Sequence, residues 1–451
     1  MNEYVTQYYR CPERYIKFTI AGPLSKEEGF FRFGDGGLCY GQQVRATPSP
    51  TPNGNLRDVI NGASNTNGNI CLPFDGRQIV DNLRLELYAK NSCLDKSLAG
   101  SILNEIYYLI RPLLPGGVRG RLQKARLSNW KTLNFPRWPV DRSVDLLFEQ
   151  LLLLSLRSQL LERIPFIWFW PDGAPSCAIM THDVDTQAGR DYCAAVMDLE
   201  DAYGIKSCFY VVPERRYEVT KEYLESLRNR GFEISVHDLT HERNLFRNRK
   251  EFLKCAEKIN AYGKEFGAIG FRAGALYRNQ QWFDALKFSY DTSVPNIGHL
   301  EAQRGGCCTV MPYFVGDILE LPVTTTQDYA LFNYLNEYST DLWIHQTELI
   351  MEKHGLINII IHPDYIGKPR EWGVFKDLLV HLAQLREEKG LWIPKAGEVD
   401  RWWRQRAKMT LVEDERGIRI EGGGSERARI AYASERDGKL VFEFGTTHIS
   451  S

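Results

Sequence analysis

From residue 174 onward, short apolar runs alternate with longer segments in which apolar positions recur at helical spacing. Strands that alternate with helices pair in parallel through right-handed crossovers. Seven or eight such strands favour the α/β class and a closed or nearly closed β/α barrel over an open doubly wound sheet. No glycine-rich phosphate-binding turn follows the first strand, which also argues against a dinucleotide-binding sheet. The predicted strands lie in SCAIMTHD, KSCFYVVP, FEISVHD, AIGFRAG, FSYDTS, DILELPV, LINIIIHP and LWIP, and the predicted helices at about 190–203, 219–230, 249–266, 281–287, 342–354 and 374–388.

The pattern changes on both sides of this region, so we expect three parts: residues 1–170, 171–406 and 407–451. The first part is expected to be an α-rich accessory region of unknown function, with helices near 98–110 and 143–163 and an exposed loop at 45–69. The motif DRWWRQR predicts a terminal helix that covers the barrel. In the last part, short alternating segments separated by Gly, Asp and Ser predict a small antiparallel β module.

Composition excludes several classes of partner. With 56 basic and 57 acidic side chains the formal charge is −1, which gives no electrostatic footprint for nucleic acid or an anionic membrane surface. The most apolar helical segment, 143–163, carries Asp145, Glu149, Arg157 and Glu162, too many charges for a membrane span. The ten cysteines form no Cys-x-x-Cys pair, and the first residues are polar, so we expect free thiols and a cytoplasmic location.

Four polar motifs follow apolar runs, where barrel strands deliver side chains to the carboxyl-end face. His237 and His241 follow FEISV at a spacing that lets both imidazoles reach one ion. Three protein ligands and a water make a catalytic zinc site, and Asp183 or Asp185 at the end of the first strand supplies the third. Residues two apart on a strand face the same side, so one aspartate can bind metal and the other accept a proton from water.

We assign Asp185 to the metal and Asp183 to the general base, and the reverse assignment stays open. The alternative for Asp185 is a helix-capping or turn aspartate. Arg272 follows AIGF and is a candidate to keep the base ionised, against the alternative of a structural ion pair. His362 follows LINIII and is a candidate general acid, against the alternative of a satisfied interior histidine.

Three further acidic residues have open roles. Asp291 and Glu320, at apparent strand ends, are candidates to tune His362. Asp364 ends a turn or joins the site.

These motifs resemble the polysaccharide deacetylase (NodB-homology) family of metal-dependent carbohydrate esterases, over roughly residues 174–406. Thr181 to Asp185 is similar to a displaced form of that family's Thr-Phe-Asp-Asp-Gly motif, and His237 to His241 to its His-Ser/Thr-x-x-His motif, with Asp238 at the hydroxyl position. The third-motif arginine matches Arg272, but Ala275 stands where a tyrosine is common. The final Leu-x-x-His motif is similar to residues 359–362.

The resemblance implies a distorted (β/α)7-8 barrel and a hydrolase that removes acyl groups, usually acetyl, from amino sugars of a polysaccharide or glycolipid precursor. It implies that Asp185, His237 and His241 hold a divalent metal, most simply Zn²⁺ with Co²⁺, Ni²⁺ or Fe²⁺ as alternatives. It also implies that Asp183 is the base that activates water, that Arg272 orients this base and that His362 protonates the departing amine. A small-molecule amidohydrolase of the same barrel type, or a glycan-binding protein with weakened catalysis, remain as alternatives.

Overall fold

The computed structural model describes residues 1–34, 37–91, 130–242, 245–415 and 417–445. The part before the barrel mixes helices with strands, whereas the sequence pattern led us to expect mainly helices. The helix predicted near 98–110 lies outside the described residues. The elements of this part are α1 (Asn2–Tyr9), β1 (Phe18–Ile20), β2 (Gly29–Phe33), β3 (Gly37–Gly41), β4 (Ser64–Thr66), β5 (Asn69–Leu72), α2 (Gly76–Arg84), α3 (Leu87–Asn91), α4 (Ser143–Ser158) and β6 (Arg163–Ile167).

Eight strands form one curled sheet, which confirms the predicted α/β class and distorted barrel. They are β7 (Cys177–Val184), β8 (Cys208–Val211), β9 (Glu233–His237), β10 (Gly270–Arg272), β11 (Tyr290–Asp291), β12 (Tyr313–Val315), β13 (Ile318–Glu320) and β14 (Leu356–Ile361). Their order is β12-β13-β11-β10-β9-β8-β7-β14, and all pairs are parallel except β12 with β13. Every residue of β7 and β14 is buried, as expected where a parallel sheet is covered on both faces.

Helices follow the strands at most of the predicted places. They are α5 (Gln187–Ala202), α6 (Lys221–Asn229), α7 (Arg249–Glu265), α8 (Asp328–Ala330), α9 (Asp341–Met351), α10 (Pro369–Lys389) and α11 (Ala396–Lys408). Thr186, Thr220 and Asn248 cap α5, α6 and α7 by accepting backbone N–H groups, which fixes where each helix begins. Two predictions differ from the structure: residues 280–285 form a 3₁₀ helix, and LWIP forms a single bridge from Trp392 to Cys177.

Side chains close the barrel between β13 and β14, where the described sheet has no backbone ladder. The hydroxyl of Thr324 donates to the Leu356 carbonyl and accepts the backbone N–H of Asn358. The hydroxyl of Thr325 donates to the Asn358 carbonyl. The chain after β13 therefore runs alongside β14 and carries the residues at 326–328 up to the carboxyl-end face.

The C-terminal part forms antiparallel pairs, as its alternating pattern predicts. β15 (Thr410–Asp414) pairs with β16 (Gly417–Glu421), and β17 (Ile430–Arg436) pairs with β18 (Lys439–Phe444). β17 also pairs with β6, so the strand just before the barrel completes a sheet with the end of the chain. The division at 170 and 406 stays a prediction.

Two further expectations concern the cysteines and the membrane. All nine cysteines among the described residues are free thiols, and Cys93 lies outside them. Across the described ranges, every helix is too short or too polar to cross a lipid bilayer.

Candidate active site

The carboxyl ends of four nearby strands bring the candidate residues together. Arg272 and His237 are the last residues of β10 and β9, Asp183 is the last but one residue of β7, and His362 directly follows β14. Strand β8 lies between β9 and β7. Because parallel strands end at the same edge of a sheet, these side chains meet at one face of the barrel. All four are buried.

Asp185, His237 and His241 form the group that could hold a metal. Nε2 of His237 lies 3.2 Å from Oδ1 of Asp185, and Nε2 of His241 lies 3.4 Å from Oδ2 of the same carboxylate. A tetrahedral zinc site with metal–ligand distances near 2.0–2.1 Å places its ligand atoms about 3.3 Å apart. The three side chains have the donor types of a zinc site, and their ligand atoms lie within 4.8 Å of one another.

Two atoms of this group lack a hydrogen-bond partner in the described structure. Oδ1 of Asp185 and Nε2 of His237 are both buried, and neither has one. A buried polar atom without a partner costs about 1–3 kcal/mol. A cation between these atoms would satisfy both, so the residues fit a divalent metal.

The backbone of β10 sets the orientation of His237. Its Nδ1 lies 3.1 Å from the carbonyl oxygen of Arg272, which can only accept a hydrogen bond. The proton is therefore on Nδ1, and the lone pair of Nε2 faces Asp185.

Arg216 holds the turn that carries His241. Its guanidinium donates to the carbonyl oxygens of Thr240 and His241 and lies 3.3 Å from Nδ1 of His241. An arginine can only donate, so this last contact requires the imidazole proton to be on Nε2. Metal binding through Nε2 of His241 therefore requires the guanidinium to give up the contact with the ring while it keeps the two carbonyls.

Charge complementarity keeps Asp185 ionised. Burial opposes its ionisation, but the neighbouring His241 and His237 outweigh burial and hold the pKa of Asp185 well below its usual range. Burial likewise opposes protonation of His237, and Asp183 and Asp185 raise the pKa of its imidazole. The site is thus built to carry a positive charge between these groups.

Asp183 sits beside this group and is held by Arg272. Nη1 of Arg272 donates to Oδ1 of Asp183 at 2.6 Å, and its Nη2 donates to the hydroxyl of Thr181 at 3.0 Å. The guanidinium also stacks over the ring of Tyr210, 4.0 Å from its centroid. Burial opposes ionisation of Asp183, but the Arg272, His237 and His362 charges lower its pKa. Arg272 thus keeps the candidate base charged and fixed in orientation.

His362 faces both aspartates from β14, with Nε2 4.0 Å from Asp183 and from Asp185. Its Nδ1 lies 2.7 Å from Oδ1 of Asp328, which the sequence analysis missed. Burial opposes the imidazolium, but Asp328, Asp185 and Asp183 outweigh burial and raise the pKa of His362 to about 10. The histidine is therefore protonated at neutral pH, the form that a general acid needs.

The two carboxylates expected to tune His362 have other partners. Asp291 accepts the backbone N–H and the hydroxyl of Ser293, and Glu320 accepts the backbone N–H of Val294. The expectation that Asp291 and Glu320 tune His362 was wrong, because both carboxylates accept hydrogen bonds from residues of the loop that follows β11. The carboxylate of Asp364 accepts the hydroxyl of Thr186 at 3.0 Å and so ties the turn after β14 to the start of α5.

The loop after Arg272 approaches the metal-binding group closely. A Cβ on Gly274 would lie 2.6 Å from Oδ2 of Asp238 and 2.9 Å from Cδ2 of His241. Glycine is therefore required there. The next residues, Ala275 and Leu276, both have φ of 52°, a left-handed conformation that is uncommon outside glycine. Ala275, which stands where the resembled family has a tyrosine, thus lies in a turn of unusual backbone geometry.

Comparisons with known proteins gave matches to solved structures. No family model and no curated protein sequence matches the chain. A provisionally assigned polysaccharide deacetylase from Mycobacterium smegmatis is 18% identical, covers 53% of this chain and 93% of its own, and has a TM-score of 0.43. The allantoinase PuuE is 12% identical over 52% of this chain and 92% of its own, with a TM-score of 0.40.

A third match is the peptidoglycan deacetylase PdaC from Bacillus subtilis, 13% identical over 52% of this chain and 95% of its own, with a TM-score of 0.34. These values support no conclusion about activity. Polysaccharide deacetylases, whose motifs this sequence resembles, are represented among the solved structures to which the chain is similar.

Proposed function

We propose that this protein is a metal-dependent hydrolase that removes N-acetyl or other acyl groups from an amino sugar of a polysaccharide or glycolipid precursor. One observation carries the proposal: Asp183, held by Arg272, and His362, held by Asp328, flank the group formed by Asp185, His237 and His241. Asp183 lies 3.6 Å from His237, and His362 lies 4.0 Å from Asp185, so both are close enough to the candidate cation site to act as the proton acceptor and the proton donor that we assign. Hydrolysis of an amide needs both, because water must lose a proton and the amine must gain one.

Each residue then has one role. Asp185, His237 and His241 would hold the cation, which supplies Lewis acidity toward the acyl carbonyl oxygen and toward water when bound. Asp183 accepts the proton of the attacking water, and Arg272 keeps its carboxylate ionised and aimed at the site. His362 donates its Nε2 proton to the departing nitrogen while Asp328 holds Nδ1.

The donor set of two imidazoles and one carboxylate suits zinc, and also cobalt, nickel and iron to differing degrees. Zinc is the proposal because two imidazoles and one carboxylate are a ligand set that catalytic zinc sites use, with water in the fourth position. Elemental analysis of the purified protein, repeated on His237→Ala, tests this. We expect about one metal ion per chain in the wild type and a clear loss in the variant. His345→Ala, in which the removed ring is 57% exposed, is the matched control.

Acetate release from N-acetylglucosamine oligomers tests the activity. We expect wild-type turnover that falls by about 10²–10⁴-fold in Asp183→Asn, with metal content unchanged. Turnover of small amides but not of oligomers would support the alternative of a small-molecule amidohydrolase. Sugar binding without turnover in the metal-loaded wild type would support the alternative of a glycan-binding protein, and either result would refute the proposal.

A further inference from the structure

A strained turn at residues 274–276 lies against the metal-binding group. Ala275 and Leu276 both have φ of 52°, a conformation that is costly for residues with a side chain and persists only where neighbouring contacts impose it. Gly274, the first residue of the turn, lies so close to His241 that an added Cβ would come within 2.9 Å of the imidazole. A shift of this turn would therefore change the space available to one candidate metal ligand.

Arg278 holds this turn through its guanidinium. Its Nη1 donates at 2.8 Å to the carbonyl oxygen of Leu276, the last residue of the turn. The backbone of Arg278 is itself held by Gln303, whose side chain accepts the N–H at 3.0 Å and donates to the carbonyl at 3.2 Å. Because the guanidinium is buried, its position depends on the partners that the protein supplies.

The partner that balances the charge of Arg278 comes from outside the barrel. Glu86, between α2 and α3, accepts hydrogen bonds from Nε of Arg278 at 2.7 Å and from its Nη2. Both carboxylate oxygens are thus used, and the two side chains are 7% and 0% exposed. A two-pronged pair fixes the plane of a guanidinium, and with it the direction of Nη1 toward Leu276. Glu86 therefore sets the position of the group that holds the turn.

Residues on both sides of Glu86 fasten the same segment to the barrel. The carbonyl oxygen of Arg84 accepts a hydrogen bond from Nε2 of Gln280 at 2.8 Å. The hydroxyl of Tyr88 donates to the carbonyl oxygen of Gly306 at 2.7 Å. The carboxylate is therefore presented to Arg278 from a segment that is fixed at both ends.

Resting on the metal site of the proposed function, we infer that Glu86 is a positioning residue for that site, which acts through Arg278 and the turn at residues 274–276. The N-terminal part then completes the catalytic face of the barrel. Loss of the Glu86 carboxylate leaves a buried guanidinium without its counter-charge, so the guanidinium must turn to water or to another acceptor and release Leu276. The strained turn then relaxes from the conformation that fits against His241, and the affinity for the metal falls.

Calorimetric zinc titration of the full chain, after a chelator has removed bound metal, tests this inference and needs no turnover. We expect Glu86→Gln to bind zinc at least about threefold more weakly than wild type. Glu149→Gln is the matched control, because it breaks the ion pair with Lys353, another contact between the N-terminal part and the barrel. Lys353 lies just before β14, at the amino-end face, whereas the turn is at the carboxyl-end face. This control should bind zinc as wild type does.

A double variant separates positioning from stability. Glu86→Gln/Arg278→Met leaves no buried charge unpaired, so it should recover the stability that Glu86→Gln loses, and it carries the test if the single variant does not fold. Methionine cannot donate to the Leu276 carbonyl, so the zinc affinity should stay at least about threefold below that of wild type.

Wild-type zinc affinity in Glu86→Gln or in the double variant overturns the inference, as does an equal loss in Glu149→Gln or no zinc binding by wild type. The titrations decide the inference even if the wild type releases no acetate, an outcome that would refute only the proposed activity.

Discussion

Asp328 binds His362 twice: its Oδ1 lies 2.7 Å from the ring Nδ1 and its Oδ2 accepts the backbone N–H at 2.7 Å. One carboxylate therefore fixes both the backbone position and the ring orientation of His362. It also keeps one proton of the imidazolium on Nδ1, so that the other is on Nε2, which faces the site. It also stabilises the imidazolium form of His362, and a histidine must be in this form before it can donate a proton as a general acid.

Asp328→Asn should lower kcat at least about tenfold with little change in KM, since it weakens the proton donor but removes no contact to substrate. The carboxylate raises the pKa of His362, so its loss lowers that pKa and leaves less imidazolium at a given pH. The alkaline limb of the pH–rate profile should therefore move to lower pH. Asp364→Asn, in which the lost carboxylate binds Thr186, should move it less. An unmoved limb in Asp328→Asn would contradict the assigned role.

Gly274→Ala should weaken metal binding without unfolding the barrel. The added methyl group would meet Cδ2 of His241 at 2.9 Å and Oδ2 of Asp238 at 2.6 Å, so the imidazole must move. Changes to the residues that position a metal ligand typically lower metal affinity by about 10–100-fold, and we expect a loss of this size here. Calorimetric zinc titration measures the loss.

Gly373→Ala is the control for Gly274→Ala, because nothing lies within 4 Å of the added atom and the residue is inside α10. It should bind zinc as wild type does and gain about 0.5–1 kcal/mol of helix stability. Wild-type zinc affinity in Gly274→Ala would argue against His241 as a ligand.

Glu86→Ala should destabilise the protein by about 3–5 kcal/mol, because it leaves the buried guanidinium of Arg278 without its counter-charge. Urea denaturation, followed by fluorescence, gives the free energy of unfolding. Glu413→Ala is the control. It removes an ion pair with Arg14 in which both side chains are about half exposed, and we expect it to lower the free energy of unfolding by about 0–1 kcal/mol. Equal costs in the two variants would show that Glu86 does not fasten the N-terminal part.

Protonation of His354 should lower the free energy of unfolding in mild acid. Burial lowers the pKa of its imidazole to about 4, opposed by a hydrogen bond to the Pro175 carbonyl. Between pH 6.5 and 4 the unfolded chain therefore binds the proton more readily than the folded chain, so stability falls as pH falls through this window. Allowing for partial exposure, the loss from this residue is about 1–2 kcal/mol.

Unfolding in urea at pH 7 and pH 4.5 checks this prediction. His354→Asn should lose less stability than wild type between the two values, and asparagine tolerates the left-handed backbone at this position. His345→Asn, on the exposed face of α9, should follow the wild type. An unchanged pH dependence in His354→Asn would refute the prediction.

The barrel could be predicted from the sequence because its strands are short and mostly apolar and the apolar positions of its helices recur at regular spacing. Asp183, His237, Arg272 and His362 stand at strand ends, and parallel pairing alone brings such positions to one face. The structure does bring them together with Asp185 and His241, although their chemical roles stay predictions. The mixed architecture of the N-terminal part was missed because its strands have three to five residues and little alternation.

Asp328 could not be found in the same way. It lies beyond β13, in the chain that Thr324 and Thr325 attach to β14 through their hydroxyl groups. No periodic pattern encodes such side-chain contacts between distant segments. The one available signal was an acidic residue at the start of a short helix, which is too common in proteins to identify a site. Glu86 was missed for a related reason, since its ion pair with Arg278 depends on how two parts of the chain dock.

The pairing of β6 with β17 has a consequence for biosynthesis. All barrel strands emerge from the ribosome between these two partners, so the barrel can form while β6 still has an unpaired edge. That edge is covered only after residues 430–436 have been made. A chain that stops before β17 would therefore carry a formed barrel together with an exposed strand edge, which favours self-association and degradation by quality-control proteases.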